Sequence, residues 1–190
     1  SKGVPVYDND SDVFILSGAE DLVKVEENLD ATRYRPRTEG LFARIFHHLD
    51  ADNDYWRVQT KDGLVSYYGT PDTKGVDPAT LSDPLDSNKI FSWHLSKTVD
   101  PFGNCIVYNY ANDQVVNGNH AWNQLYLTEI RYIDYINPNN PPKPDFLVSV
   151  QFQYEERTDA FSTYRQGFEI RTRRRCTAVE NYTHDVPGTL

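Results

Sequence analysis

The stretch YWRVQTKDGLVSYYG (Tyr55–Gly69) restricts the fold of this chain more than any other part of it. Two runs of alternating residues flank Asp62-Gly63, and an Asp-Gly pair in that setting is a strong hairpin signal. A type I′ turn requires positive φ at both central positions, which Gly adopts freely and Asp more readily than most residues. A two-residue loop sets Thr60 opposite Val65, Val58 opposite Tyr67 and Trp56 opposite Gly69. That register predicts one face carrying Trp56, Val58, Val65 and Tyr67. The polar face then carries Arg57, Gln59, Lys61, Ser66 and Tyr68, with Leu64 the exception. Such a ribbon belongs in an antiparallel sheet covered on one side. Trp56 and Tyr67 are read as packing residues, because aromatic side chains favour the pleated, half-buried surface of a strand.

The same plan recurs at IFSWHLSKTV, DPFGN and CIVYNY. Phe91, Trp93 and Leu95 alternate with Ser92, His94 and Ser96, and Ile106, Tyr108 and Tyr110 follow a turn built on Gly103 and Asn104. Trp93 and Tyr108 are the packing residues expected there. Upstream, VFILSG and LVKVEE form two short strands about Ser17-Gly18, and Pro36 keeps TRYRPRT extended. LFARIFHHL has helical spacing at Phe42, Ile45, Phe46 and Leu49, yet it leads through DADND into the hairpin, which favours strand. Residues 70–89, with three prolines and one glycine, read as loop, ANDQVVNGNHAWNQ as a polar stretch and NPNNPPKPD as a rigid Pro-rich loop. LYLTEIRYIDYI, FLVSVQFQYEE and GFEIRTRRR read as strands. Phe146, Val148, Val150, Phe152 and Tyr154 share a face in the second, and Phe168 and Ile170 oppose Glu169, Arg171 and Arg173 in the third. No helix longer than two turns is expected. The chain is therefore mostly β: antiparallel strands and hairpins with long Pro-rich loops and little helix, in a single domain over residues 1–190.

A chain of 190 residues is long enough for one sizeable core. Its net charge of −9 argues against nucleic acid as the main partner, since phosphate binding rests on basic patches. No apolar run approaches the roughly 18 residues of a membrane span, and the opening SKGVPVYDND has no apolar core of a signal peptide. Cys105 and Cys176 stand far apart and make no metal spacing, so their redox state stays open.

Few residues suggest chemistry. Asp50, Asp52 and Asp54 open like a calcium loop, but its sixth and twelfth positions are Tyr55 and Lys61, where Gly and Glu are needed. Asp8, Asp10 and Asp12 also lack the pattern. His47 and His48 are adjacent, so on a strand they point to opposite faces and cannot chelate one ion. His94, His120 and His184 have no His or Cys at ligand spacing, and no nucleophile elbow or phosphate loop occurs. Nothing local lowers the pKa of Cys105. Arg171, Arg173 and Arg175 share a strand face, where pairing with acids of a neighbouring strand is favoured over anion binding. No catalytic residue, metal or cofactor is expected.

FILSGAEDLVKV, YRPRTEGLFARI, YWRVQTKDGLVSYYG and IFSWHLSKTVDPFGNCIVYNY, in that order and spacing, resemble the amino-terminal region of SpvB-type virulence proteins. They are similar also to the TcB component of insecticidal toxin complexes, within the wider Rhs and YD-repeat class. The likeness runs from Val13 to Cys176 and is most specific over Lys61–Gly69 and Asp100–Tyr110. The resemblance implies an architectural role. TcB-like proteins, with a TcC-like partner, build a hollow shell of β-strands around an unfolded toxic effector, and a propeller attaches that shell to a pore-forming, TcA-like component. It implies those components and the encapsulated effector as partners, and a chain that is secreted, or cytoplasmic before release. In SpvB-type proteins ADP-ribosylation belongs to a separate carboxy-terminal domain. Its Arg, Ser-Thr-Ser and Glu-x-Glu pattern is missing here, since FSTYRQGFEIR is only superficially alike, so no catalytic residue carries over. The chain lacks propeller repeats and reads as a piece of a larger shell-forming protein. In this first reading Asp62, Gly63, Gly103 and Asn104 are structural turns, and Trp56, Tyr67, Trp93 and Tyr108 are packing residues of a non-enzymatic wall. The alternative is a glycan-binding β module with Trp122 as the ligand contact, because an exposed indole can stack on a sugar.

Overall fold

The structure is a computed structural model that describes residues 3–16, 20–38, 40, 42–73, 77–118, 120–136 and 144–185. All regular secondary structure among them is strand. Six strands open the chain: β1 (Ile15–Leu16), β2 (Glu20–Glu27), β3 (Thr32–Pro36), β4 (Arg44–Leu49), β5 (Asp54–Gln59) and β6 (Val65–Tyr68). They pair in sequence order, each antiparallel to the last, as short strands with tight links should. β1 and β2 pair about Ser17-Gly18, a turn that lies outside the described residues. LFARIFHHL is strand: Ile45 and His47 of β4 point inward, while Phe42 is exposed and has positive φ, which breaks the helical spacing.

The Tyr55–Gly69 hairpin forms with a longer loop than expected. Gly63 N–H donates to Thr60 O (3.1 Å) and Thr60 N–H donates to Leu64 O (2.9 Å), so Lys61, Asp62 and Gly63 make a three-residue link. Gly63 has φ +88°, whereas Asp62 stays on the ordinary side. This is a type I turn closed by a glycine bulge, and Gly at its fourth position is the preferred residue. The pairs are therefore Trp56 with Tyr68, Arg57 with Tyr67, Val58 with Ser66 and Gln59 with Val65. A slip of one residue exchanges faces. Tyr68, not Tyr67, joins Trp56 and Val58 at the core, and Tyr67 sits on the other side near the ring of Tyr55 (6.2 Å).

The second hairpin uses the same device. It joins β9 (Leu95–Val99) to β10 (Cys105–Asn112) through Pro101, Phe102 and Gly103. Gly103 has φ +92°, and its N–H donates to Asp100 O (3.1 Å). Asp first and Pro second are the type I preferences. Asp100 also accepts from the N–H groups of Phe102 and Asn104 (2.9 Å each) and from Asn104 Nδ2 (2.7 Å).

Residues 70–89 are less loop-like than their prolines suggested. β7 (Thr80–Asp83) and β8 (Asp86–Trp93) form a separate two-stranded sheet. Pro78 precedes this ribbon and Pro84 lies in its turn, so neither interrupts a ladder. Its bulged pairing also shifts the expected alternation: Ile90 is buried and Phe91 is 43% exposed. The polar stretch after β10 likewise holds a hairpin, β11 (Val115–Asn117) and β12 (His120–Asn123). The remaining strands are β13 (Leu125–Ile136), β14 (Pro144–Thr163) and β15 (Glu169–Thr183). Seven residues of the Pro-rich loop, 137–143, lie outside the described residues. The large sheet runs β1-β2-β3-β4-β5-β6-β9-β10-β13-β14-β15-β12-β11, antiparallel except where β12 meets β15.

Two cores sit on this sheet. One holds Leu22, Tyr34, Ile45, Trp56 and Val58, with Phe14, Tyr68 and Trp93 packed on it. The other holds Leu81, Leu125, Phe168 and Ile170, with Tyr7 and Tyr110. The leading segment bridges them: Phe14 covers the first, while the hydroxyl of Tyr7 donates to Gln166 O beside the second.

Candidate functional site

The alternation that buries Ile45 also buries His47, two residues on, at 3% exposure. Its ring stacks on Trp56, with centroids 4.3 Å apart and planes 2° apart. Its Nε2 lies 2.9 Å from Asp54 Oδ1. The same oxygen and the Asp54 carbonyl accept from Trp93 Nε1 (3.1 and 3.0 Å). Phe14 meets Trp56 and Trp93 edge to face, and Tyr34 tilts against Trp56. This cluster ties β4, β5 and β8 into one unit. Its polar atoms satisfy one another, as buried polar groups must.

A second polar centre surrounds Glu169, which is 4% exposed at the start of β15. Ser162 Oγ donates to Oε1 (2.6 Å), Arg171 Nη1 lies 3.4 Å from Oε1 and His120 Nε2 lies 2.8 Å from Oε2. Burial pushes the carboxyl up, but hydrogen bonds from Ser162, His120 and Tyr164 outweigh it and hold Glu169 below the usual range. Trp122 lies opposite Glu169 in the parallel pair. The Arg171 guanidinium sits 5.5 Å over its ring, and the His120 ring tilts against it at 4.9 Å. Trp122 Nε1 is buried and has no hydrogen-bond partner among the described residues. One face of the Trp122 ring thus already meets a cation of this chain.

The arginine run pairs with acids. Arg175 meets Glu155 across β14 and β15 at 2.6 Å, as the expected ladder requires. Arg173 grips Asp113 with two bonds of 2.7 and 2.8 Å and also reaches Glu156 at 3.2 Å. Asp113 lies between β10 and β11, a partner that strand patterning could not reveal. Tyr126 OH accepts from the backbone N–H groups of Arg173 and Arg174, at 3.0 Å each.

Two Ser–His contacts occur. Ser149 Oγ lies 2.9 Å from His184 Nε2, but Ser149 has 0% exposure, so no substrate can reach it. Ser92 Oγ lies 3.2 Å from His94 Nε2, two residues away, and burial pushes the His94 imidazole down. Cys105 and Cys176 are free thiols; burial, then Asp134, pushes Cys105 up, away from thiolate reactivity. Among the described residues no group of three His, Cys, Asp or Glu side chains could hold a metal ion. No helix among them is long and apolar enough to cross a membrane.

The residues singled out by sequence therefore scatter. Asp62, Gly63, Gly103 and Asn104 lie in two distinct turns, and Trp56 and Trp93 share one cluster. Tyr108 is half-buried on β10 and Trp122 lies in the other half of the sheet. The sequence points to His47 and Asp54 only as metal ligands, a role it argues against, and to Glu169 only as a residue on a strand face; the contact that would betray the first two is Trp93, 39 residues after Asp54.

Comparison with known proteins gives a consistent picture. The family described as Salmonella virulence plasmid 65kDa B protein, SpvB, matches residues 1–156 and 131–184. The chain is 29% identical over 240 residues to the mono(ADP-ribosyl)transferase SpvB of Salmonella typhimurium (strain 14028s / SGSC 2262), which takes in 97% of this chain and 40% of that protein. It thus spans about 40% of the length of the curated relatives it matches. It is similar to the solved N-terminal domain of effector protein SpvB from Salmonella typhimurium strain LT2, at 25% identity and a TM-score of 0.80, covering 100% of this chain and 75% of that one. A crystal structure of TcdB2-TccC3 matches at 25% identity and a TM-score of 0.77, over 96% of this chain and 11% of that one. The Photorhabdus luminescens Tc holotoxin pore matches at 27% identity and a TM-score of 0.74, over 96% and 10%.

Proposed function

This chain belongs to the SpvB family, and on that premise we propose that it is one domain of a larger toxin-complex protein, where its strands contribute wall to a shell that encloses a toxic effector, with no catalysis of its own. One observation carries this reading. The fold recurs over 96% of this chain inside toxin-complex structures of which it makes up only about a tenth, so the same unit serves as a part of something much bigger. The chemistry is compatible. A wall must be inert toward its cargo, and the His47–Asp54–Trp93 and Ser162–Glu169–His120 groups are engaged with one another. The partners are TcC-like and TcA-like components and the effector, not nucleic acid, given the net charge of −9. The protein is secreted, or cytoplasmic before release. A glycan-binding role would rest on Trp122, whose ring lies under Arg171 and against His120.

The test is protease protection. The full-length protein is assembled with its TcC-like partner and effector, and the effector is exposed to trypsin. A wall role predicts protection in the native assembly and rapid digestion once Trp56→Asp disrupts this domain. Equal protection from a protein lacking residues 1–190 would overturn it. In parallel, isolated residues 1–190 should consume NAD no faster than buffer.

A further inference from the structure

Between the leading segment, β8 and the inner face of β2–β6 lies a cavity of about 580 Å³. That is within the span of roughly 300–1,000 Å³ typical of small-molecule sites. Its floor is the apolar core itself, including Ile45, Trp56 and Ile90, all buried. Its mouth is apolar too: Val13, Ile15, Leu49 and Phe91 line it and are 43–60% exposed. Apolar side chains usually close over such a floor, and a lined hollow that opens through an apolar rim is built to admit an apolar body.

The charge of the lining is one-sided. Asp8, Asp12 and Asp54 line the cavity, while no Lys, Arg or His does so among the described residues. Asp12 accepts from the backbone N–H groups of Val6 and Tyr7, Asp8 from Asp10 N–H and Ser11 Oγ, and Asp54 from Trp93. Those donors are neutral, so they fix the carboxylates without neutralising them. His47 reaches Asp54 from a neighbouring cavity, where Lys24 is held by Asp10 (3.1 Å) and Glu27 (3.0 Å). The apolar chamber thus combines indole and phenyl walls, negative charge and no cation of its own, the setting in which a ligand cation gains from both aromatic faces and carboxylates.

We propose that this chamber binds a small amphipathic organic cation, an aromatic or branched aliphatic body carrying one ammonium head. The site is separate from any wall role and does not depend on it.

The experiment is a fluorescence titration of the 190-residue chain carrying Trp122→Phe, so that Trp56 and Trp93 report alone. The probes are 3-phenylpropyltrimethylammonium, neutral 3-phenylpropan-1-ol and 3-phenylpropane-1-sulfonate. The expected result is saturable, one-site binding of the cation, with the alcohol weaker by about fivefold to tenfold and the sulfonate silent. Ile15→Arg and Asn88→Arg each place a cation at the mouth on an exposed position, and each should weaken the ammonium probe by a similar factor while the thermal midpoint stays put. No saturable change with any probe overturns the site. Equal binding of cation and alcohol overturns its charge preference. Binding that both folded arginine variants leave intact overturns its location.

Discussion

Strands β2–β5 and strands β13–β15 belong to one sheet, yet they bury different things. Apart from a register shift at Lys24/Glu26, the first group alternates, so its inner face is Leu22, Tyr34, Ile45, Trp56 and Val58 under Phe14 and Trp93. The second group surrounds a smaller apolar set with buried polar residues: Asp113, Asn123, Ser149, Gln166 and Glu169. The difference follows from how each part is wound. Tight hairpins keep strands in register, and period-two sequence then separates apolar from polar. The second group has register shifts at Gln153/Tyr154 and Glu156/Phe161 and takes in a parallel strand; at the first shift Thr177 Oγ1 donates to Gln153 O (3.3 Å), and side chains also reach backbone carbonyls in the β14–β15 turn and on β7. Gln166 Nε2 donates to Thr163 O (2.7 Å) and Phe168 O (2.8 Å), and Asn123 Nδ2 donates to Ser82 O (2.8 Å). One half should therefore fail by losing volume, the other by losing a partner.

The largest expected effect lies in the aromatic half. Trp56→Ala removes the ring that His47 stacks on and Phe14 leans against, and should cost about 4 kcal/mol in denaturant unfolding. A loss under about 1 kcal/mol would mean this half is not held by packing. Next comes the polar half. Asp113→Ala leaves the Arg173 guanidinium without its bidentate partner and should cost about 2–3 kcal/mol, below the roughly 3–5 kcal/mol for breaking a fully buried pair, because Arg173 is part-exposed and keeps Glu156. Glu155→Ala, which breaks the exposed pair with Arg175, should cost less than about 1 kcal/mol. If the two substitutions cost the same, burial is not what makes the Asp113 contact matter.

The two glycine turns sharpen the comparison at smaller scale, because they share a geometry and differ in surroundings. A Cβ on Gly103 meets nothing within 4 Å, so Gly103→Ala carries only the strain of its positive φ, about 1 kcal/mol. A Cβ on Gly63 stands 2.9 Å from Pro101 Cγ, in the other turn. Gly63→Ala should cost more than Gly103→Ala, and Gly63→Val more again, since a β-branched side chain tolerates that backbone least. Thermal unfolding of the three variants ranks them; an unchanged midpoint for Gly63→Val would remove the turn from the account.

How far the sequence shows all this depends on distance along the chain. Period-two runs such as Phe146–Tyr154 and the glycines of both turns announce strands and bends directly. Loop length was not legible in Asp62-Gly63, because that dipeptide suits two-residue and three-residue links alike. What decides is weaker: Thr60 bonding Asp62, and in the other turn Asp100 followed by Pro101. β7 and β8 were hidden by prolines that stand beside the strands rather than inside them. The polar centres were hidden entirely. Asp113 and Arg173 are 60 residues apart, and the sheet order that joins them includes a parallel neighbour that no local pattern encodes.

The smallest effects are in pH, and the two halves should respond in different windows. His48, on the outer face of β4, is stacked on Tyr55 (4.6 Å) with its Nε2 buried and unpartnered among the described residues. Burial pushes its imidazole below the usual value, so the folded state resists protonation more than the unfolded chain does. A depressed histidine contributes fully above the unfolded value of about 6.5, and that contribution is lost as pH falls below it. Glu169 is held down by its donors, so its contribution persists to lower pH and is lost only as pH falls from the ordinary Glu value of about 4.3 through the folded one. His48→Phe should flatten the fall in thermal midpoint between about pH 7.5 and 5.5, and Glu169→Gln should flatten it only below about pH 4.5. If His48→Phe changes the acidic limb, or Glu169→Gln the neutral one, each half is not carrying its own titrating group and the division between them is drawn in the wrong place.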